Sequence, residues 1–147
     1  MILVHVSKQA ELTQCMDIRR RVFIEEQRVP ESEEIDNHDR IDDPSADHFL
    51  FMLEDRPIST VRCIKKAGNI LKIGRVAVLK EERNKGLGRH MMDLIEAYYP
   101  TYALFVLDAQ THAIPFYLKC GYEVSGEIFM DAGIPHRYME KSNPRNT

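Results

Sequence analysis

The sequence feature that most constrains the fold is the segment from Arg75 to Tyr98, RVAVLKEERNKGLGRHMMDLIEAY. It opens with a short apolar run typical of a β-strand, continues through a charged turn with two glycines, and ends in a helical pattern. The helical pattern repeats apolar side chains on one face, at Leu87, Met91, Leu94, Ile95 and Tyr98. We therefore predict a strand, a turn and an amphipathic helix in succession.

The turn between this strand and helix, RNKGLGR (residues 83–89), is called the glycine turn below. Its two glycines allow the backbone to approach a ligand closely, and the first N–H groups of the following helix have no partner within the helix. Arg83, Lys85 and Arg89 add positive charge to the positive end of the helix dipole. This combination predicts an anion site suited to a pyrophosphate. The segment lacks both the P-loop pattern GxxxxGK[ST] and the dinucleotide pattern GxGxxG.

The whole chain alternates strand and helix patterns in the order β-α-(loop)-β-β-β-α-β-α-β-β. The stretch HFLFMLEDRPISTVRCIKKAGNILKIGRVAVL has turn residues between apolar runs and predicts three antiparallel strands, while YEVSGEIFM and HRYMEK predict the last two strands. We predict an α/β (α+β) fold with a mixed central sheet of about six to seven strands flanked by about four helices. A length of 147 residues suits one domain, which we place at residues 1–141 with a flexible C-terminal tail at 142–147.

Charge is unevenly distributed along the chain, whose formal net charge is −3. Ten acidic residues and only two arginines lie between Glu25 and Asp47, and the rest of the chain is net basic. Proteins that bind nucleic acid normally carry a basic excess overall, so no nucleic-acid partner is expected. No apolar run approaches the ~20 residues that span a bilayer, and the opening MILVHVS is too short for a signal peptide. We expect a soluble cytoplasmic protein without a membrane partner.

Two segments resemble the signatures of the GCN5-related N-acetyltransferase (GNAT) family, and the resemblance covers nearly the whole chain. VAVLKEERNKGLGRHMMDLIE looks like the family's R/Q-x-x-G-x-G/A segment, and AQTHAIPFYLKCGYE is similar to its N-x-x-A-I-x-F-Y-x-x-x-G-F segment, with Gln110 in place of the Asn. The resemblance implies acetyl-CoA as co-substrate, with its pyrophosphate at the glycine turn and its pantetheine arm along the preceding strand. The implied cofactor-binding residues are Val76, Ala77, Val78, Arg83, Asn84, Lys85, Gly86, Leu87, Gly88, Arg89 and Gln110.

Transfer of an acetyl group to an amine requires a base, a donor to the developing oxyanion and an acid for the departing sulfur. By the resemblance, the main-chain N–H of Val78 polarises the thioester carbonyl and Tyr117 protonates the sulfur. MDAGIPHRYMEK is similar to the tail of a narrower branch of the family that includes glyphosate N-acetyltransferase, which implies His136 as the base. Histidine exchanges a proton near neutral pH. Glu34, Asp36 or a water molecule are the alternative bases.

The acceptor side is indicated by FIEEQRVPESEEID, which resembles a segment of the same branch in which the loop after the first helix shapes the acceptor pocket. The resemblance implies that Glu26, Glu34 and Asp36 attract an ammonium group and that Arg75 binds an acceptor carboxylate. We therefore predict direct acetyl transfer to the primary amine of a small molecule: an amino acid, an amino sugar or a polyamine-like compound.

Two other functions remain open at this stage. A protein lysine or N-terminal acetyltransferase would need an open peptide groove, and a non-catalytic CoA-binding sensor or partner subunit would not need Tyr117. The three cysteines show no CxxC spacing, so neither a metal nor a disulfide framework is predicted. Cys120 offers a covalent alternative to direct transfer. A homodimer is a family-level expectation.

Overall fold

The computed structural model describes residues 1–146, which form one mixed sheet with helices on both faces. The strands are β1 (Ile2–His5), β2 (Ala46–Leu53), β3 (Arg56–Lys66), β4 (Ile70–Val78), β5 (Leu104–Gln110), β6 (Glu123–Val124), β7 (Phe129–Asp131) and β8 (Ile134–Ser142). The α-helices are α1 (Gln9–Arg19), α2 (Glu31–Glu34), α3 (Leu87–Tyr98) and α4 (Ile114–Lys119). A π-helical segment, Arg20–Glu26, continues α1, and 3₁₀ turns occur at Lys80–Glu82 and Thr111–Ala113.

The strand order across the sheet is β1-β2-β3-β4-β5-β8-β6, and β7 pairs with β8 at the same edge as β6. The pairing of β4 with β5 is parallel, and the other pairings within residues 1–146 are antiparallel. Helix α3 makes the crossover between the two parallel strands, as a parallel connection requires. The predicted α/β fold with a mixed sheet is confirmed.

The two faces of the sheet bury separate apolar clusters because successive strand residues point to opposite faces. Phe49 of β2 packs with Met91 and Ile95 of α3, whereas its neighbour Leu50 packs with Ile18 of α1 on the other face. Complete burial of a side chain such as Ile95 contributes roughly 1.5–3 kcal/mol. The stripe predicted for α3 is therefore what fixes that helix to the sheet.

The strand count is eight rather than six or seven because the stretch YEVSGEIFM forms two short strands. Gly126 lies between them with φ of 102°, a left-handed conformation that interrupts regular strand pairing.

The C-terminal boundary predicted at residue 141 falls inside β8, which continues to Ser142. The Asn143 side chain is buried and donates hydrogen bonds to the carbonyls of Tyr99 and Tyr102, at 3.1 and 2.7 Å. Asn143 thus packs against the domain rather than extending from it. The last residue of the predicted tail, Thr147, lies outside the described residues.

Candidate active site

The site begins where β4 and β5 stop pairing. Their parallel register covers Ile70 with Leu104, Leu71 with Phe105 and Lys72 with Val106, although β4 continues to Val78. Beyond Lys72 the strands separate, so the β4 edge facing β5 has main-chain groups with no sheet partner. A separation of this kind leaves hydrogen-bonding backbone available to a ligand.

The direction of the Val78 main-chain groups follows from the pairing of β3 with β4. Leu79 N–H donates to the Ile58 carbonyl at 3.0 Å, and Ser59 lies opposite Val78. Hydrogen-bonded and non-hydrogen-bonded pairs alternate along an antiparallel ladder, so the N–H and C=O of Val78 point away from β3. They face the separation between β4 and β5.

A β-bulge reshapes β4 just before this point. Thr60 lies opposite Ala77 and Arg62 lies opposite Gly74, so two residues of β4 oppose one residue of β3. One of the two is Arg75, which has φ of 48° in the left-handed region. A bulge redirects the side chains around it, and Arg75 lines the cleft that the diverging strands open.

This cleft has a volume of about 830 Å³, within the range of small-molecule sites. It brings together residues of the π-helical segment, the loop at residues 28–45 (the acidic loop), β4, the glycine turn, β5, α4 and the β7–β8 turn. The predicted site residues that line it are Glu34, Arg75, Val76, Val78, Arg83, Asn84, Gly86, Leu87, Gly88, Arg89, Gln110, Tyr117 and His136.

Four predicted site residues do not line the cleft. The Ala77 side chain packs in the cluster beneath α1, because strand alternation turns it away from the cleft. Lys85 is drawn to Glu82, at 3.0 Å. Glu26 and Asp36 are each held by an arginine, as described below.

The glycine turn presents the N-terminus of α3 to the cleft. Gly86 precedes the helix with φ of 74°, a conformation that costs little only for glycine. At Gly88 an added Cβ would lie 3.0 Å from two ring carbons of Phe116, so the glycine allows α4 to approach α3. Arg89 makes no ion pair within residues 1–146. The unpaired helix N–H groups and this guanidinium form a surface suited to phosphate oxygens.

Arg83 is already engaged by protein groups. Its terminal nitrogens donate to both carboxylate oxygens of Glu26 at 2.8 and 2.9 Å, and its Nε donates to the Val78 carbonyl at 3.0 Å. The side chain therefore connects the glycine turn to the π-helical segment and to the end of β4.

Tyr117 and His136 lie at the cleft as predicted from the sequence motifs. Burial raises the pKa of the Tyr117 hydroxyl, and the Cys120 thiol adds to the shift. The hydroxyl stays protonated at neutral pH and makes no hydrogen bond within residues 1–146. The thiol pKa of Cys120 is raised by burial as well, so Cys120 lacks the low pKa of a cysteine nucleophile.

The tautomer of His136 is determined by its partner. Its Nδ1 lies 2.7 Å from the Ile134 carbonyl oxygen, which can only accept, so Nδ1 carries the hydrogen. In the neutral ring the lone pair is then on Nε2. The ring stacks on Phe129, with centroids 5.7 Å apart, which fixes its plane.

The acidic loop contributes to a buried charge network, which we define as Arg19, Arg62, Glu34 and Asp39. Arg19 is 1% exposed and donates to Glu34 Oε1 at 2.8 Å and to Asp39 Oδ1 at 2.6 Å. Arg62 donates to the same Asp39 oxygen at 3.1 Å. Burial would raise the pKa of Asp39, but hydrogen bonds from Arg19 hold it at about 2. The network is electrically balanced within the protein.

Two residues at the rim extend this network to the cleft. Asp36 accepts from Arg62 at 2.7 Å, and Arg75 lies 3.2 Å from Glu34. Burial raises the pKa of Glu34 against the opposing effect of Arg19 and Arg75, and burial lowers the pKa of Arg75. All three acidic side chains that the sequence assigns to the acceptor, Glu26, Glu34 and Asp36, are thus already paired with arginines.

Glu33 and Asp131 also line the cleft, and neither makes an ion pair in the part of the chain that the structure describes. Neither residue was predicted from the sequence as part of the site. Asp131 pairs with Ile134 across the β7–β8 hairpin, and Phe129 pairs with His136. Alternate residues share a face, so Asp131 lies on the same face of the hairpin as His136. Period-two spacing around the turn DAG is the signal that identifies it.

Gln27 is a further residue at the cleft that no sequence motif predicted. Its amide nitrogen donates to Gln110 Oε1 at 3.3 Å, and the amide nitrogen of Gln110 donates back to Gln27 Oε1 at 2.8 Å. Both residues line the cleft. This reciprocal pair joins the segment after the first helix to the end of β5.

Within residues 1–146 no group of three or more His, Cys, Asp or Glu side chains is arranged to hold a metal ion. Over the same residues no helix combines the length and apolar character needed to cross a bilayer.

Comparisons with known proteins agree with this geometry. Residues 7–143 match the family model described as an acetyltransferase (GNAT) domain. The uncharacterised protein YyaT of Bacillus subtilis is 36% identical over 148 residues, which cover 99% of each chain.

Solved structures share the fold at lower identity. An acyl-CoA N-acyltransferase from Pseudomonas aeruginosa has a TM-score of 0.81 at 23% identity, covering 95% of this chain and 98% of that one. An aminoglycoside 6'-N-acetyltransferase complexed with coenzyme A has a TM-score of 0.75 at 15% identity, covering 97% of each chain. The family match over nearly all of the chain, together with this fold, means that the protein belongs to the GNAT family of acetyltransferases.

Proposed function

We propose that this protein transfers the acetyl group of acetyl-CoA directly to the primary amine of a small molecule, with both substrates bound in the cleft. The observation that carries the proposal is that one cleft contains the N-terminus of α3, the free edge of β4, Tyr117 and His136. These groups supply an anion site, a backbone donor, an acid and a base. Acetyl-CoA, when bound, supplies the activated acyl thioester.

Each chemical role has a residue of suitable state. His136 Nε2, with its lone pair fixed by the Nδ1 hydrogen bond, accepts the proton that the amine loses. The Val78 N–H, which faces the separation between the strands, donates to the developing oxyanion. Tyr117 O–H donates its proton to the departing sulfur and recovers one through solvent from His136, so the reaction leaves both residues unchanged. Glu34 and Asp36 are the rival bases, but both are engaged by arginines.

The acceptor binds, in this proposal, at the end of the cleft formed by the acidic loop and the β7–β8 turn. Glu34 and Arg75 line that end, and the Arg75 guanidinium is the candidate partner for an acceptor carboxylate. Glu33 and Asp131 are free to attract the ammonium form of the amine. Glu26 and Asp36 act indirectly, through Arg83 and Arg62.

A thiol-release assay with acetyl-CoA tests the proposal. The acceptor panel contains amino acids, amino sugars, polyamines and a lysine peptide, and Tyr117→Phe is compared with wild type. We expect release with one class of small amine and a reduction of about 100-fold or more in kcat for Tyr117→Phe, because general acid catalysis contributes about that much. Release only with the peptide would indicate a protein acetyltransferase, and acetyl-CoA binding without any release would indicate a non-catalytic role.

The assignment of the base is tested separately. His136→Ala should lower kcat most near neutral pH and leave the acetyl-CoA dissociation constant unchanged. An unaltered pH–rate profile would transfer the role to Glu34, Asp36 or water.

A further inference from the structure

Two consecutive side chains at the end of the π-helical segment reach opposite walls of the cleft. Glu26 binds Arg83 in the glycine turn, beyond the end of β4, and Gln27 binds Gln110, the last residue of β5. Neighbouring helical residues project about 100° apart, so adjacent positions can contact different walls. The sequence pair Glu26–Gln27 thus links the two sides of the strand separation.

The backbone around this pair is itself unusual. Gln27 N–H donates to the Val22 carbonyl at 3.2 Å, an i→i−5 bond that closes the π-helical segment. π-helical geometry is uncommon and is found mostly as single turns at functional sites. Here it extends over seven residues and ends at Glu26.

The ion pair of Glu26 with Arg83 helps to position Val78, whose main-chain N–H is the proposed donor to the oxyanion. A bidentate arginine–carboxylate pair defines the orientation of the guanidinium as well as its position. Arg83 also donates its Nε–H to the Val78 carbonyl. The carboxylate of Glu26 therefore acts, through Arg83, on the orientation of the residue whose N–H faces the cleft.

The amide pair of Gln27 with Gln110 lies at the opposite wall of the cleft, at the end of β5. Gln110 lies opposite His136 in the β5–β8 ladder and directly precedes the segment that leads to Tyr117. In the reciprocal amide pair each glutamine uses one N–H and its oxygen, which leaves one N–H on each side chain for a ligand.

We propose that Glu26 and Gln27 are positioning residues that form a clamp across the cofactor cleft and set the separation of β4 from β5. The inference rests on the proposed function for its kinetic consequences. Glu26 positions the glycine turn and Val78 for acetyl-CoA, and Gln27 positions the end of β5 with its neighbours His136 and Tyr117 for turnover.

The two halves of the clamp predict different kinetic effects from adjacent substitutions. Glu26→Gln should raise the KM and the dissociation constant for acetyl-CoA on the order of tenfold and should lower kcat as well, because the Val78 N–H that donates to the oxyanion is held through Arg83. Gln27→Ala should lower kcat on the order of tenfold and leave the acetyl-CoA dissociation constant within about twofold. Glu25→Gln is the matched control, because Glu25 is exposed and makes no ion pair within residues 1–146.

The sign of the change in acetyl-CoA affinity in Glu26→Gln shows whether Glu26 positions Arg83 for the ligand or competes with the ligand for it. Tighter acetyl-CoA binding in this variant would overturn the clamp, because it would mean that Glu26 competes with the ligand for Arg83.

A second test uses Gln27→Ala, Gln110→Ala and the double variant. If the amides act as one unit, the double variant should have the same kcat as either single variant, whereas additive losses would contradict the pair.

Hydrogen exchange on the ligand-free protein tests the clamp without reference to activity. Glu26→Gln should accelerate amide exchange at residues 77–79, where the Leu79 N–H donates to the Ile58 carbonyl beside Val78, and Gln27→Ala should accelerate it at residues 107–110, relative to Glu25→Gln. Exchange equal to that of the control in both segments would overturn the clamp. Failure of wild type to bind acetyl-CoA or release thiol would instead refute the proposed function, and the exchange result would still decide the clamp.

Discussion

The buried charge network and the glycine turn both concentrate charged groups, but they differ in what completes them. In the network, Arg19 and Arg62 find their carboxylate partners within the protein, and Asp39 accepts from both. At the turn, Arg89 and the first N–H groups of α3 have no protein partner among the described residues. A charged group whose partners lie within the protein stabilises the fold, whereas a cluster of donors without protein partners is available to a ligand.

The largest expected effect comes from breaking the network. Asp39→Ala leaves Arg19 buried beside only one carboxylate and should lower the free energy of unfolding by about 3–5 kcal/mol. Asp42→Ala, in the same loop, removes an exposed pair with Arg40 and should cost less than about 1 kcal/mol. Urea unfolding measures both. Equal losses would mean that the network contributes no more than a surface ion pair.

A substitution in the glycine turn should instead weaken acetyl-CoA binding more than it lowers the stability of the fold. Gly86→Glu places a carboxylate at the anion site and should weaken acetyl-CoA binding at least about 100-fold, or ~3 kcal/mol, as measured by calorimetry. Gly68→Glu is the control, because Gly68 has nearly the same φ, 80° against 74°, and lies in the β3–β4 turn. Both variants should lose about 1–2 kcal/mol of stability to the left-handed conformation. Wild-type affinity in folded Gly86→Glu would refute the pyrophosphate assignment.

The smallest effect concerns pH. The pKa of Asp39 is about 2 in the folded protein, below its ordinary value of 3.8, so its ionised form stabilises the fold above pH 3.8. That contribution, on the order of 2 kcal/mol, should disappear as pH falls toward 2. The stability difference between wild type and Asp39→Asn should therefore narrow over this range. Glu34, whose pKa is raised above its ordinary value of 4.5, is largely protonated in both the folded and the unfolded chain over this range, so its titration contributes little to the narrowing. A stability difference that stays constant over this pH range would contradict the lowered pKa of Asp39.

Much of the fold could be predicted from sequence because its signals are local. The α3 stripe and the turns of the β2–β4 meander each lie within a few residues, and the structure confirms the mixed sheet. The eighth strand was missed because one glycine, Gly126, divides a stretch whose pattern predicts a single strand.

The direction in which individual site side chains point was harder to predict, because it depends on residues that are distant in sequence. Arg75 reaches the cleft through a bulge that is defined only by the pairing of β4 with β3. The acidic run reads as a charged loop, and its arginine partners lie as far away in sequence as Arg19 and Arg62. Gln27 offered no motif, since its role depends on Gln110, 83 positions along the chain.

The short parallel seam between β4 and β5 has a consequence for how the molecule folds. The β2–β4 meander closes through hairpins, which form quickly because their contacts are local, whereas the seam joins segments separated by a complete helix. We expect docking of the seam to be a late step in folding. Since the cleft exists only where the seam ends, a partly folded chain has no such cleft, and a ligand that binds in the cleft would select the finished fold and slow its loss.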